Sequence, residues 1–176
     1  TGAARIAYNQ VAGRAHAALA AWNLHTQRRD RTLAEAVNAG ARADDLSDHD
    51  LALRLEQFIR ESTVLVPTAT SALAAGDITS FAAAVAESQA LATTHLRNQI
   101  PETSALVEYA LKAGAHAASA FGAGFGGAVW ALVDEARAES CATTWLDIYR
   151  LTFPHHRGSS ILRIDPGSRA QRIECR

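Results

Sequence analysis

Methionine is absent from all 176 residues, and the sequence opens on Thr1. The natural expectation is a piece of a longer protein, or one whose start has been trimmed. Lysine is almost absent as well: Lys112 is the only one, so arginine carries nearly all the positive charge. The 17 Lys+Arg and 18 Asp+Glu leave a formal net charge of −1, which excludes a strong field for nucleic acid or an anionic membrane. No apolar run approaches the roughly 20 residues that a membrane span requires, and no basic stretch leads into an apolar one as in a signal peptide. Two widely spaced cysteines, Cys141 and Cys175, are too few for a disulfide framework or a thiolate metal site, which makes the cytoplasm the expected compartment. Aromatic residues are only 6% of the chain, whereas alanine is abundant at 39 residues. Alanine is the strongest helix former, so a mostly helical protein with small-residue packing follows.

Helical spacing of apolar residues predicts a long helix over 3–29, with Gly13 weakening its middle. A short helix over 33–39 ends at Gly40, and Ser47 is placed to cap a further helix from Leu51. That helix carries a 3.6-residue apolar stripe in which Pro67 predicts a kink or break. Asp77 caps a helix over 78–96. Pro101 and Glu102 suit a first turn, and Gly114 beside Lys112 suits a C-terminal stop. The texture then changes. The short apolar segment 117–121 is followed by glycine-rich 122–127 and the apolar run 128–133, which reads as a buried strand. A helix over 135–151 and an alternating strand over 160–165 complete the chain. Helices followed by a β–loop–β–α–β unit give an α+β class, helix-rich with a small antiparallel sheet.

Gly122-Ala123-Gly124-Phe125-Gly126-Gly127 satisfies Gly-x-Gly-x-x-Gly. A dinucleotide site needs a helix to follow that motif, because the helix N-terminus holds the pyrophosphate. The outgoing segment here is too short and too β-like, and Asp147, about 20 residues on, falls in a predicted helix rather than at a strand end. The alternative is a hairpin-like loop in which glycines permit positive φ and let peptide N–H groups approach an anion. A tight connection between two strands, with no ligand, satisfies the same residues.

Residues 118–133, with this loop at their centre, resemble the third motif of the GHMP small-molecule kinases in its galactokinase form. Asn98-Gln99-Ile100-Pro101-Glu102-Thr103 and Gly114-Ala115 resemble the same family. So do Arg54, Gln57-Phe58, Glu61-Ser62, Gly76-Asp77 and Ser88-Gln89, in collinear order, and Tyr8-Asn9 at the head of the helical region. The resemblance implies that residues 1–176 are the C-terminal domain of an ATP-dependent sugar 1-kinase, related to a ferredoxin-like arrangement. It implies that Gly122, Ala123, Gly124, Phe125, Gly126 and Gly127 form the active-site loop and that Tyr8 contacts the sugar, galactose or a similar one. ATP and Mg²⁺ are implied for the complete enzyme, with none expected on this chain. The family's Ser-rich phosphate loop, its catalytic aspartate and its sugar motif belong to an N-terminal half that this chain lacks. Phosphoryl transfer depends on positioning and charge neutralisation, so the chain alone is expected to be inert, with no catalytic residue and no metal ligand of its own. Phe121 stands where the family has threonine, and the Arg-Arg-x-x-Cys-Glu stretch after Tyr8 is absent. A non-catalytic ligand-sensing or interaction module on the same fold is the other reading, since one architecture hosts many functions. Absence of the N-terminal half predicts an exposed apolar surface and, through it, a homodimer.

The remaining polar clusters have plainer readings. His155-His156 is an exposed loop pair with no ligand partners at metal spacing. The acidic stretch Asp44, Asp45, Asp48 and Asp50 lacks the glycine and terminal glutamate of a calcium loop. His95 sits on a helix face as a semi-buried histidine, Cys141 is a small core hydrophobe, and Arg28-Arg29-Asp30-Arg31 is a solvated helix end.

Overall fold

A computed structural model describes residues 2–165 and 167, with side chains from residue 9 onward. Seven α-helices frame one hairpin. They are α1 (Gly2–Thr26), α2 (Leu33–Asn38), α3 (His49–Arg60), α4 (Val66–Ala75), α5 (Ile78–Leu91), α6 (Pro101–Lys112) and α7 (Ala138–Thr152). Strands β1 (Ala117–Ala120) and β2 (Val129–Leu132) pair antiparallel between α6 and α7. The helix-rich α+β class with a small antiparallel sheet is what the composition and motif order predicted.

Apolar residues at helical spacing build two cores. Ala18 and Trp22 of α1 meet Leu33 and Ala36 of α2 and Leu55 of α3. Alanine at 18 and 36 lets these backbones approach closely, and both residues are fully buried. The second core joins Val107 and Ala110 of α6, Ala118 of β1 and Trp145 of α7. Trp145 donates its indole N–H to the Leu106 carbonyl at 2.8 Å, so its one polar atom is satisfied where the ring is buried. Both faces of the hairpin are covered. Ala118, Val129 and Ala131 face this core, whereas Ser119 hydrogen-bonds to Gln89 of α5 and Trp130 packs on Phe81 with centroids 6.3 Å apart. β2 is nevertheless half-buried along its whole length and Ala128 is exposed, so the apolar run 128–133 is not the buried strand that its composition predicts; contacts on both faces, rather than full burial, accompany its lack of alternation.

Four local expectations are corrected. The α3 cap is Asp48 and not Ser47, its carboxylate accepting the Leu51 N–H at 3.0 Å. Pro67 does not break the helical path. A π-turn over Glu61–Leu65, with the Val66 N–H donating to the Glu61 carbonyl, places Pro67 in the first turn of α4, where no N–H is required. Gly13 lies within an uninterrupted α1. Residues 160–165 form no strand: their alternation finds no neighbouring edge, and Leu162 and Ile164 point outward, 82% and 77% exposed. Ile161 alone of that segment packs on the second core.

Candidate functional site

The hairpin loop is built from its two ends inward. β1 leads in and β2 leads out in a register that closes with Ala120 opposite Val129. The Phe121 N–H donates to the Ala128 carbonyl at 2.8 Å, carrying the ladder one step further. The segment that leaves the glycine turn is thus extended, not helical, and the geometry of a dinucleotide fingerprint is not met. Between the strands, Gly122, Gly124, Phe125, Gly126 and Gly127 adopt φ of 75°, 80°, 58°, 112° and 98°. Positive φ at successive residues is a geometry in which free peptide N–H groups can approach an anion, although the Phe125 N–H is engaged within the chain.

Phe125 is the one non-glycine in this run of left-handed residues, and its conformation has a visible cause. Its N–H donates to the Asn98 carbonyl at 2.6 Å, while the Asn98 side-chain amide donates to the Ala123 carbonyl at 3.2 Å. Asn98 is 7% exposed and follows Arg97, which is itself left-handed at φ 53°. A π-turn over Ala92–Leu96 extends α5 into this linker, and the Asn98 N–H donates back to the Ala92 carbonyl at 3.3 Å. The Asn98 amide oxygen accepts from Gln99 at 2.9 Å, and Gln99 in turn accepts from the Thr103 hydroxyl at 3.1 Å. Thr103, 1% exposed, also holds the start of α6 through the Ile100 N–H. The incoming strand is held by a second buried amide: the Gln89 side-chain oxygen accepts from Ser119 Oγ at 2.9 Å and from the Ala120 N–H at 3.0 Å.

Glycine at 124 is required by contact as well as by φ. A Cβ there would clash with the Asn98 backbone carbonyl oxygen and lie 2.7 Å from the Asn98 Cγ. Gly122 and Gly127 have open space around them, so only their backbone angles call for glycine. Phe121 is 66% exposed at the loop's entrance and offers no hydroxyl.

Behind the linker lies positive charge. Arg14 of α1 donates to the Leu96 carbonyl and, at 3.5 Å, to that of His95. Arg54 of α3 donates to Gln57 at 2.7 Å, and burial together with the nearby Arg14 charge lowers its pKa from the usual arginine range. No loop residue carries an ionisable side chain, so the loop contributes shape and peptide dipoles rather than acid–base chemistry. Among the described residues no group of three His, Cys, Asp or Glu could hold a metal ion. The donor set of the described residues therefore does not fit Mg²⁺.

The six loop residues are brought together as one turn. Tyr8 lies on α1, but its side chain is outside the described residues, so its separation from the loop is not defined. His155 and His156 lie in a short exposed turn, and His95 pairs with Glu56 at 3.4 Å. The acidic stretch 44–50 contains a short helical turn and the α3 cap rather than a cation site. Cys175 lies outside the described residues. Among those described, no helix is long and apolar enough to cross a membrane. Sequence reasoning named Asn98 and Gln89 only as parts of a motif and missed their structural task. The available signal was a polar residue at a buried position, of which Gln57, Gln89, Asn98 and Thr103 are the examples.

Residues 69–150 match the family described as GHMP kinases C terminal. The fold is similar to that of Lactococcus lactis galactokinase, solved in complex with galactose, with a TM-score of 0.71 and 25% sequence identity. That match covers 84% of this chain and 38% of the galactokinase chain, so this chain spans well under half of its solved relative. No curated protein matches the chain. The glycine loop between antiparallel strands thus lies inside the segment that matches the C-terminal region of GHMP kinases, on a fold similar to that of a galactokinase.

Proposed function

We propose that this chain is the C-terminal part of an ATP-dependent sugar 1-kinase, inert by itself, whose Gly122–Gly127 loop forms one wall of the active site. The observation that carries the reading is the left-handed run at 122–127, set between strands within the segment matched to GHMP kinases. In this reading the loop's peptide N–H groups line the side of the phosphate site, and its lack of side chains lets substrate approach the backbone. Tyr8 would contact the sugar, galactose or a close relative. When bound, ATP supplies the transferred phosphoryl group; its Mg²⁺ ligands and the base come from outside the residues described here. Positioning and electrostatics dominate phosphoryl transfer, and a rigid wall is a contribution of that kind. The apolar side chains left exposed, including Leu151 and Leu162, support an interface with a phosphate-binding half.

Two measurements test the reading. The full-length protein, given ATP and Mg²⁺ with a panel of hexoses, should release ADP and yield a sugar 1-phosphate, detected by phosphorus NMR. The present chain alone should give no turnover and no calorimetric signal with ATP at micromolar concentration. Micromolar ATP affinity of the isolated chain, or a full-length protein that phosphorylates no sugar, would overturn it.

A further inference from the structure

We propose that Asn98 is a positioning residue for the phosphoryl transfer inferred above: its main chain and side chain together lock the glycine loop in its productive shape. The proposal rests on the kinase reading for its catalytic half only.

Three observations converge on this residue. Asn98 grips the loop at two points two residues apart, the Ala123 carbonyl and the Phe125 N–H. Those points bracket Gly124, the one loop position where a Cβ would strike the linker backbone. And Asn98 is fixed from behind by a relay through Gln99 and Thr103 into the first turn of α6. A loop rich in glycine has a large conformational entropy to lose, so its open shape is not self-enforcing. Of the loop's own side chains, Ala123 and Phe125 are the only ones, and neither carries a polar group. The order must therefore be imposed from outside, and Asn98 supplies it from the element that also starts α6. Its amide has the right polarity at both ends, donating to the Ala123 carbonyl and accepting from Gln99. A carboxylate could do only the second.

The expected consequence is a defect in turnover rather than in sugar affinity, because the loop's backbone touches phosphate and not the sugar's hydroxyl-reading side chains. Misplacement by an ångström costs on the order of 10- to 100-fold in rate.

The test uses Asn98→Ala and Asn98→Asp. In the chain itself, Asn98→Ala should speed hydrogen exchange at the Phe125 amide, the loop N–H bonded to the Asn98 carbonyl, by about tenfold, with helix amides unchanged. In Asn98→Asp the ionised carboxylate cannot donate to the Ala123 carbonyl, but the protonated acid can. Loop protection, corrected for intrinsic rates, should therefore return as the pH is lowered, and burial brings that titration into an accessible range. A residue that merely fills space would show no such pH dependence. In the full-length enzyme Asn98→Ala should lower kcat about 10-fold or more with the sugar KM within about twofold. Unchanged loop exchange in Asn98→Ala overturns the clamp. Faster exchange with unchanged kcat, or a KM effect alone, overturns the positioning role. A wild-type enzyme without kinase activity removes the kinase reading and the catalytic half with it, while the exchange arm still decides the clamp.

Discussion

Replacing Gly124 with alanine perturbs the loop at its tightest point. The new methyl group would need a left-handed backbone at φ 80°, which costs an L-residue about 1–2 kcal/mol. It would also clash with the Asn98 carbonyl oxygen and press on the Asn98 amide carbon. Backbone cannot swing aside as a flexible side-chain tip does. Relief requires the loop to lift off the linker, which gives up the Phe125–Asn98 and Asn98–Ala123 hydrogen bonds at about 0.5–1.5 kcal/mol each. The total is about 2–5 kcal/mol. Gly122→Ala is the matched control: its φ is 75°, but nothing lies within 4 Å of the added carbon, so only the backbone cost of about 1–2 kcal/mol applies. Urea unfolding of both variants, followed by far-ultraviolet circular dichroism, should place Gly124→Ala at least about 1 kcal/mol below Gly122→Ala, the worth of the two lost bonds. A loop that detaches locally would instead show the difference as faster amide exchange at residues 123–125 than in Gly122→Ala. Equal stability of the two variants, with equal loop exchange, would refute the claim that the linker and not the glycines alone defines the loop.

Three further outcomes are expected. Gly13→Ala, in the middle of α1 with open space around the position, should raise stability by about 0.5–1 kcal/mol, read as a higher urea midpoint. Asp30 is held below its ordinary pKa of 3.8 by the Arg28 guanidinium and then by the Trp22 indole N–H. A depressed carboxylate contributes stability that is complete above the unfolded pKa and lost as the pH falls through the folded value. Asp30→Asn should therefore lower the urea midpoint at pH 7, with the gap to wild type closing only below about pH 4, near the unfolded carboxylate pKa; a gap that is constant with pH would contradict the pairing. Cys141 is 2% exposed and its thiol pKa is raised by burial, so mass spectrometry after treatment with a maleimide should find it unmodified in native protein and modified in urea.

What could be read in the sequence was what short-range chemistry decides. The α5 cap at Asp77 follows from one carboxylate accepting the Ser80 N–H at 3.0 Å, and the end of α4 follows from a glycine at φ 69°. Strand β2 was legible because a six-residue apolar run, bounded by Gly127 and Asp134, is too short for a helix and needs cover on both faces. Residues 160–165 carry the other strand pattern, alternation, without a partner edge, and alternation alone does not supply one. Pro67 misleads for the converse reason: a π-turn upstream shifts the hydrogen-bond ladder, and nothing in the local composition announces it.

The candidate site divides along the same line. Glycine spacing foretells a loop with left-handed residues, since only the backbone is involved. It does not foretell which shape the loop takes, because that is decided 25 residues upstream by the Asn98 side chain, while Gln89 fixes the strand that enters the loop. Both are buried amides. A buried amide is tolerated only when its donor and acceptor are satisfied, so each constrains its neighbours in return. In Gln89 the constraint falls on the strand that enters the loop, and in Asn98 on the loop's own peptides. The two act in series along one chain path, β1 and then 122–127. A substitution at Gln89 should accordingly loosen residues 119–120 before it reaches the glycines, whereas one at Asn98 should loosen the glycines and leave the β1–β2 ladder intact. Residue-resolved amide exchange of Gln89→Ala against Asn98→Ala separates these patterns, and identical patterns would mean that the hairpin and its loop move as one unit.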